Sequence, residues 1–182
     1  ADVPVVGNFT GDLGQAAMAA VGANTPIVAL IVNSFLGISL GTNVVFANAV
    51  GRKDEETVQK AVHTSMIVAI IGGIIVSIIG QIIADPLIRA QNISDEAVDM
   101  AILYFRIYIA GLPVILLYNF EAAIFRGIGN TRIPFLALVI SGVVNVGLNV
   151  CFVVGFGRNV DGVATATVIS NLISSIILLL FL

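Results

Sequence analysis

Residues 64–84 read TSMIVAIIGGIIVSIIGQIIA, 21 consecutive residues without an acidic or basic side chain. About 20 apolar residues wound as an α-helix are enough to cross the hydrocarbon core of a bilayer. Equally uncharged stretches cover residues 13–51, 133–157 and 162–182. A chain of 182 residues cannot bury all of these segments inside one soluble domain. The sequence therefore predicts an all-α fold, a polytopic transmembrane helix bundle.

The composition supports the same class of protein. Hydrophobic residues make up 58% of the chain, charged residues only 10%, and the mean hydropathy is +1.08, whereas a soluble domain carries about 25% charged residues. The net charge is −3 and no basic stripe is present, so we expect no nucleic-acid partner. The lone Cys151 offers neither a disulfide framework nor a thiolate metal cluster. We find no nucleotide-binding loop, metal spacing or nucleophile motif, and therefore expect no catalytic residues and no cofactor.

Polar turns divide the chain into about six helices. We expect the last turns of one helix in residues 1–10, and further helices at about 15–50, 57–84, 95–126, 134–154 and from 163 onward. Pro26 predicts a bend, because its ring removes a backbone hydrogen bond. Thr57 is expected to cap the third helix, and Asp85-Pro86 to open the loop after it. Both chain ends look like cuts through helices, so we expect a piece of a longer chain.

The basic residues predict the orientation of the helices. Cytoplasmic loops of membrane proteins carry an excess of lysine and arginine. The side of the bundle reached after the second and fourth helices would hold five basic residues, Arg52, Lys53, Lys60, Arg126 and Arg132. The other side would hold two, Arg89 and Arg158. We therefore expect the five-residue side to be cytoplasmic.

Polar side chains inside a bilayer are costly, so each is a candidate functional group. If the stub that carries Asp2 faces the bundle interior, this carboxylate could take up a proton or Na⁺; the alternative is an exposed terminal residue. Asn145 and Asn149 are four residues apart and share one helix face. Their amides could coordinate a cation or bind a substrate, or they could join neighbouring helices by hydrogen bonds.

Other polar side chains give weaker signals. Thr167 is uninformative alone, because threonine often hydrogen-bonds its own helix backbone. Asn33 and Asn43 on the second helix are equally ambiguous and are candidates for a substrate cavity.

Two charges and two tyrosines lie in the fourth predicted helix. Arg106 and Glu121 are 15 residues apart, about 22 Å along a helix, so they cannot pair with each other. We expect Arg106 near the outer interface and Glu121 near the cytoplasmic end, both in structural roles. Tyr104 and Tyr108 fit an interfacial aromatic belt better than a binding site.

Several motifs, taken in chain order, resemble the MATE transporters (multidrug and toxic compound extrusion), with the bacterial DinF-type branch most similar. The motifs are DVPVVG (2–7), AAVGA (19–23) with Pro26, GRKDE (51–55), YFRIY (104–108), GLP (111–113), YN (118–119), RGIGNTR (126–132) with Pro134, Asn145 and Asn149, GVA (162–164) and AT (166–167). The run at 126–132 is the most specific, and the resemblance covers essentially the whole chain.

This resemblance implies a function and an architecture. MATE transporters have twelve helices in two pseudo-symmetric six-helix lobes, and they export organic, often cationic, compounds by alternating access, driven by H⁺ or Na⁺ entry. Residues 1–182 would form a single transmembrane lobe, from the end of helix one to most of helix six, without the second lobe. We therefore expect a small organic substrate, a bacterial or archaeal inner membrane, no cofactor beyond H⁺ or Na⁺, and a need for a second lobe in the same chain or in another copy.

The resemblance also implies roles for individual residues. Asp2 resembles the first-helix carboxylate of cation coupling, Asn145 a fifth-helix asparagine of the same cluster, and Thr167 a sixth-helix threonine that lines it. Na⁺ at Asp2, Asn145 and Thr167 is one option, and H⁺ at Asp2 is the other. Asn149 falls where several members have aspartate, which puts a relay of two carboxylates in doubt.

Two other functions remain open from the sequence. One is a lipid or oligosaccharide flippase of the same superfamily, which a cavity lined by several basic residues would favour. The chain offers only Arg106 inside an apolar region, so we rank the flippase lower. The other is a half-length membrane protein without transport activity of its own. An enzyme is the least favoured class.

Overall fold

The structure is a computed structural model that describes Gly7 and residues 14–182. These residues form six α-helices and one π-helical turn, in the order α1 (Gly14–Gly51), α2 (Glu55–Arg89), α3 (Asp95–Ala110), α4 (Leu112–Gly127), α5 (Arg132–Val150), the π-helical turn (Cys151–Gly155) and α6 (Val160–Phe181). The part of the chain that the structure describes is thus an all-α bundle, as the sequence predicts.

Four of these elements are long and apolar enough to cross a membrane, namely α1, α2, α5 with its π-helical turn, and α6. The α3–α4 pair counts as a fifth span if its two halves, which meet at an angle of 49°, are taken together. One face of α2 exposes a row of isoleucines, Ile67, Ile71, Ile74, Ile78 and Ile82. Their helical spacing marks the face that meets lipid. The chain is a multi-pass membrane protein.

The α3–α4 pair lies at the centre of the bundle and contacts α1, α2 and α6. Its aromatic and aliphatic side chains Phe105, Ile109, Leu112, Leu116 and Phe120 are all fully buried. The single helix predicted over residues 95–126 is therefore wrong, because the chain breaks at Gly111. Pro113 has no backbone N–H to donate to the preceding turn, and its ring collides with the carbonyl of the residue four positions earlier.

Two glycines let neighbouring helices approach this break. A Cβ atom on Gly73 of α2 would lie 2.5 Å from Pro113 Cα. The side chain of Val168 of α6 occupies the space that a Gly111 side chain would need. The absence of a Cβ atom at these positions therefore brings α2 and α6 against the two sides of the break.

The ends of α2 also differ from the prediction. Asp54, and not Thr57, is the N-cap: its Oδ1 accepts from the Thr57 backbone N–H at 3.0 Å and its Oδ2 from the Thr57 hydroxyl at 2.6 Å. Asp54 is exposed on a loop outside the membrane, and these two hydrogen bonds lower its pKa. The predicted loop at Asp85-Pro86 is helical instead, since α2 continues to Arg89. α1 is one continuous helix that includes Pro26, and the bend predicted there stays a prediction.

The two ends of the bundle differ in charge. A common space at one end is lined by the last turns of α1, α4 and α6 and by the first turns of α2. The lining residues include Phe46, Ile128, Phe181 and His63. Four of the five basic residues of the predicted cytoplasmic side belong to these turns or to the connection between α1 and α2, and the fifth, Arg132, begins α5 directly after the short connection from α4. We call this the basic end. At the opposite end Arg89 lies 3.8 Å from Asp99.

Candidate functional site

A cavity of about 520 Å³ lies between α1, α3, α5 and α6. Its walls combine small apolar side chains with hydroxyl, amide and phenol groups. The residues that line it are Val21, Thr25, Val28, Ala29, Val32, Asn33, Tyr104, Tyr108, Leu138, Ser141, Gly142, Asn145, Thr167, Ser170 and Asn171. None of these described residues is acidic or basic, so this wall offers dipoles and ring faces but no formal charge.

A cluster of amides and hydroxyls joins α5 to α6 at this cavity. The Asn145 Nδ2 group donates to Thr167 Oγ1 at 3.3 Å and to Ser170 Oγ at 3.3 Å. Asn149, one turn later on the same face of α5, donates from Nδ2 to Asn145 Oδ1 at 3.3 Å. The structure therefore brings together three of the predicted coupling residues, Asn145, Asn149 and Thr167.

The cluster supplies amide and hydroxyl oxygens and no carboxylate. Its amide and hydroxyl oxygens are hard, neutral ligands, and such ligands suit Na⁺ only as part of a larger set of oxygens. Among the described residues, no group of three or more His, Cys, Asp or Glu side chains could hold a metal ion. The predicted carboxylate, Asp2, lies outside the residues that the structure describes.

The other predicted site residues occupy different places. Asn33 lines the cavity, and its contact with a substrate stays a prediction. Asn43 is not among the lining residues; its Oδ1 lies beside Gly127, 3.1 Å from the position of a Cβ atom there, where α1 passes the end of α4. Asn149 is completely buried, is not among the lining residues, and donates to Asn145, which is.

Two tyrosines that the sequence places in an interfacial belt line this cavity instead. The rings of Tyr104 and Tyr108 stack with their centroids 6.1 Å apart and their planes 26° from parallel. Both side chains belong to α3, and Tyr104 is buried. Their spacing of four residues places them on one helix face. That spacing predicts a shared face but not what the face contacts, so the sequence carried no signal that assigns the two rings to the interior.

Arg106 lies on another face of α3 and contributes nothing to the cavity. Its guanidinium forms an ion pair with the Asp85 carboxylate of α2, and both side chains are about half exposed. Gln81 of α2 donates to the Arg106 backbone carbonyl at 2.8 Å. These contacts fasten α3 to α2 and agree with a structural role for Arg106.

The break at Gly111 positions one wall of the cavity. Val168, which packs against Gly111, follows Thr167 directly in α6. On the other side of the break, Gly73 holds α2 against Pro113. The backbone next to Thr167 is thus held by direct contact with the bent pair.

Comparison with known proteins connects this arrangement to a family. The MatE family model matches residues 5–151. The probable multidrug resistance protein YoeA of Bacillus subtilis is 29% identical over 93% of this chain. The chloroplastic protein DETOXIFICATION 44 of Arabidopsis thaliana is 32% identical over 94% of it.

Solved structures agree with the sequence comparison. A multidrug resistance MATE family transporter of the MOP superfamily, in an inward-facing conformation, superposes with a TM-score of 0.91 and 30% identity over 98% of this chain. The chain spans 40% of that structure and 38% of the Bacillus relative. The matched family model covers most of the chain and includes every described element up to the end of α5. The chain belongs to the MatE family.

Proposed function

We propose that this chain forms one lobe of a secondary active antiporter that exports small organic compounds, cationic ones among them, against the entry of H⁺ or Na⁺. The observation that supports this most is the joining of Asn145 and Thr167 at a charge-free cavity that also contains stacked tyrosines. Since the chain spans 38% of a relative named for multidrug resistance, a second lobe, in the same chain or in another copy, would complete the transporter.

In this mechanism Asp2 binds the coupling ion. A proton would neutralise its carboxylate, whereas Na⁺ would also draw on the oxygens of Asn145 and Thr167. Either ion changes the charge in the predicted helix that carries Asp2, which precedes α1. The resulting shift of that helix closes the lobe cavity and releases the substrate outward. The ion can drive this change only if it binds with different free energies in the inward-facing and outward-facing states.

The test is efflux of a fluorescent cationic dye from vesicles that contain the full-length protein, under an imposed H⁺ or Na⁺ gradient. Wild type is compared with Asp2→Asn and with Asp99→Asn, a matched control because Asp99 is an exposed carboxylate near the end opposite the basic end. We expect gradient-driven efflux to be lost in Asp2→Asn and retained in Asp99→Asn. Retained efflux in Asp2→Asn would contradict coupling at Asp2, and absent efflux in folded wild type would contradict antiport.

The flippase alternative receives no support from the described cavity. Lipid-linked substrates carry phosphates, which basic side chains would bind, and none of the described lining residues is lysine or arginine. A half-length protein without transport would differ from our proposal in the vesicle assay, because co-expression with a second lobe would not produce efflux.

A further inference from the structure

Glu121 of α4 is the one acidic side chain that the described structure buries completely. The Ser175 hydroxyl of α6 donates to its Oε1 at 3.2 Å. Its other oxygen, Oε2, is enclosed and has no hydrogen-bond partner. Glu121 does not line the cavity at Asn145, so the proposed coupling mechanism leaves this carboxyl group unused.

No basic side chain among the described residues forms an ion pair with Glu121. α1 carries no charged residue, and α6 carries none after Asp161. The titratable and charged groups on the elements packed around its half of the bundle are Tyr118 and Arg126 of α4, Arg132 of α5, and Glu55, Glu56, Lys60 and His63 of α2. The ring of His63 is already engaged with the Gln59 carbonyl at 2.9 Å.

The place of Glu121 in the bundle is a junction between three helices. Ser174, next to Ser175, donates to the Ala137 carbonyl of α5 at 3.3 Å. Two consecutive serines of α6 thus join it to α5 and to α4. Beside them, Ala122, Phe125, Ala137 and Leu178 form a small apolar cluster. Ser175 follows Thr167 by eight positions in α6, which places this junction about 12 Å along the helix from Thr167, toward the basic end.

These surroundings favour the neutral form of the carboxyl group. An ionised carboxylate needs water, a counter-charge or several donors to offset its desolvation. Glu121 has one neutral donor in the closed α4–α6 contact. A proton on Oε2 removes the charge without displacing either helix. If α6 moves away from α4 and water enters, the O–H bond breaks, the proton passes to water and the carboxylate remains.

We propose that Glu121 is a second proton-binding site, which holds its proton while α4 and α6 are packed and releases it when their contact opens toward the basic end. Closure of this junction then takes up one proton, and opening returns it. The proposal rests on the proposed antiporter function only for its physiological use; the binding of the proton and the opening of the junction are properties of the lobe.

The first test is infrared spectroscopy of the full-length protein in lipid, in an Asp2→Asn background that removes the other carboxyl group of interest. Proteins with and without Glu121→Gln are compared at neutral pH. We expect a C=O stretch of a protonated carboxyl group that is lost in Glu121→Gln. Ser175→Ala should keep this band and raise its frequency, because Oε1 loses its donor. Identical spectra with and without Glu121→Gln, or an unshifted band in Ser175→Ala, would overturn the proposal.

The second test measures opening of the junction. Leu178 is fully buried in the adjacent cluster, so Leu178→Cys, in a background without other cysteines, reports water access through its rate of maleimide labelling. The labelling rate of Leu178→Cys is measured at each pH, once with Glu121 intact and once with Glu121→Gln. The ratio of the two rates cancels the intrinsic pH dependence of the thiol. We expect labelling to rise more steeply with pH when Glu121 is present. Equal profiles would overturn the link between the proton and opening.

Neither readout depends on efflux. If the vesicle assay shows no transport while the infrared band and the labelling behave as expected, the antiporter proposal fails and the proton site stands. If efflux depends on Asp2 but Glu121→Gln changes neither the infrared spectrum nor the labelling rate, the antiporter proposal stands and the proton site fails.

Discussion

Asn145 and Thr167 meet across the α5–α6 contact, with the Asn145 amide donating to the Thr167 hydroxyl at 3.3 Å. The same amide reaches Ser170, and its carbonyl oxygen accepts from Asn149. One asparagine therefore links the amide and hydroxyl groups of α5 and α6 along one wall of the cavity. In a membrane interior, where water does not compete, such a cluster both joins helices and offers oxygens to an ion.

Replacement of Asn145 by alanine should abolish gradient-driven efflux with only a modest loss of stability. Hydrogen bonds between membrane helices contribute about 0.6 kcal/mol each on average, so the bundle should still fold. The measurement is dye efflux together with the thermal melting of the full-length protein. The matched control is Asn43→Ala, since Asn43 lies outside the cavity lining; it should retain efflux. Loss of efflux in both variants would contradict a special role for Asn145.

Loss of the tyrosine rings should weaken the binding of cationic substrates. A cation over an aromatic face gains about 0.5–2 kcal/mol, so Tyr104→Leu or Tyr108→Leu should raise the Kd of a cationic dye roughly two- to thirtyfold. The phenylalanine variants retain the ring and should bind nearly as wild type does. Equilibrium dye binding to the full-length protein provides the measurement, and Leu103→Ala, on an exposed face of α3, is the control. Equal losses in the leucine and phenylalanine variants would assign the effect to the hydroxyl groups instead.

A methyl group at residue 73 should destabilise the bundle. In Gly73→Ala the new Cβ atom would lie 2.5 Å from Pro113 Cα, so backbone must move on one side of the break. Overpacking of this kind costs about 1–3 kcal/mol. Gly37→Ala is the control, because nothing lies within 4 Å of a Cβ atom there, and it should melt at or above the wild-type temperature. Equal melting temperatures for the two variants would show that α2 does not pack against Pro113 this closely.

The cap of α2 should weaken in acid. The hydrogen bond from the Thr57 side chain is the largest cause of the lowered pKa of Asp54, and the hydrogen bond from the Thr57 backbone is the second. Its contribution to stability is therefore fully present above the unfolded-state pKa of about 3.9, and it is lost as the pH falls through the lower folded-state value. Hydrogen exchange at the Thr57 amide measures this loss.

The matched control for this prediction is Asp54→Asn, which separates capping from charge at the same position. An asparagine side chain accepts the same backbone hydrogen bond and does not titrate. The Asp54→Asn variant should therefore protect the Thr57 amide to the same degree at all pH values. A wild-type exchange profile as flat as that of the variant would contradict the lowered pKa.

The sequence by itself determined the class of the protein and most of its helices. Uncharged stretches such as 64–84 must be helical in a bilayer, where every backbone N–H and C=O group needs an internal partner. The spacing of Asn145 and Asn149 placed both on one helix face, and the motif around 126–132 indicated the family to which the chain belongs. These inferences depend on local chain geometry and on the solvent, which the order of residues already specifies.

Only the tertiary structure decided where the central helix breaks, which polar groups meet and which side chains line the cavity. Pro113 allows either a kinked helix or two helices, and the packing of Gly73 and Val168 around it selects two. The location of Tyr104 and Tyr108 was ambiguous, because two tyrosines spaced four residues apart fit a helix face at the membrane interface as well as one in the bundle interior. Glu121 read as a structural charge near a helix end, and only the approach of Ser175, 54 residues later in the chain, shows it buried with a single donor.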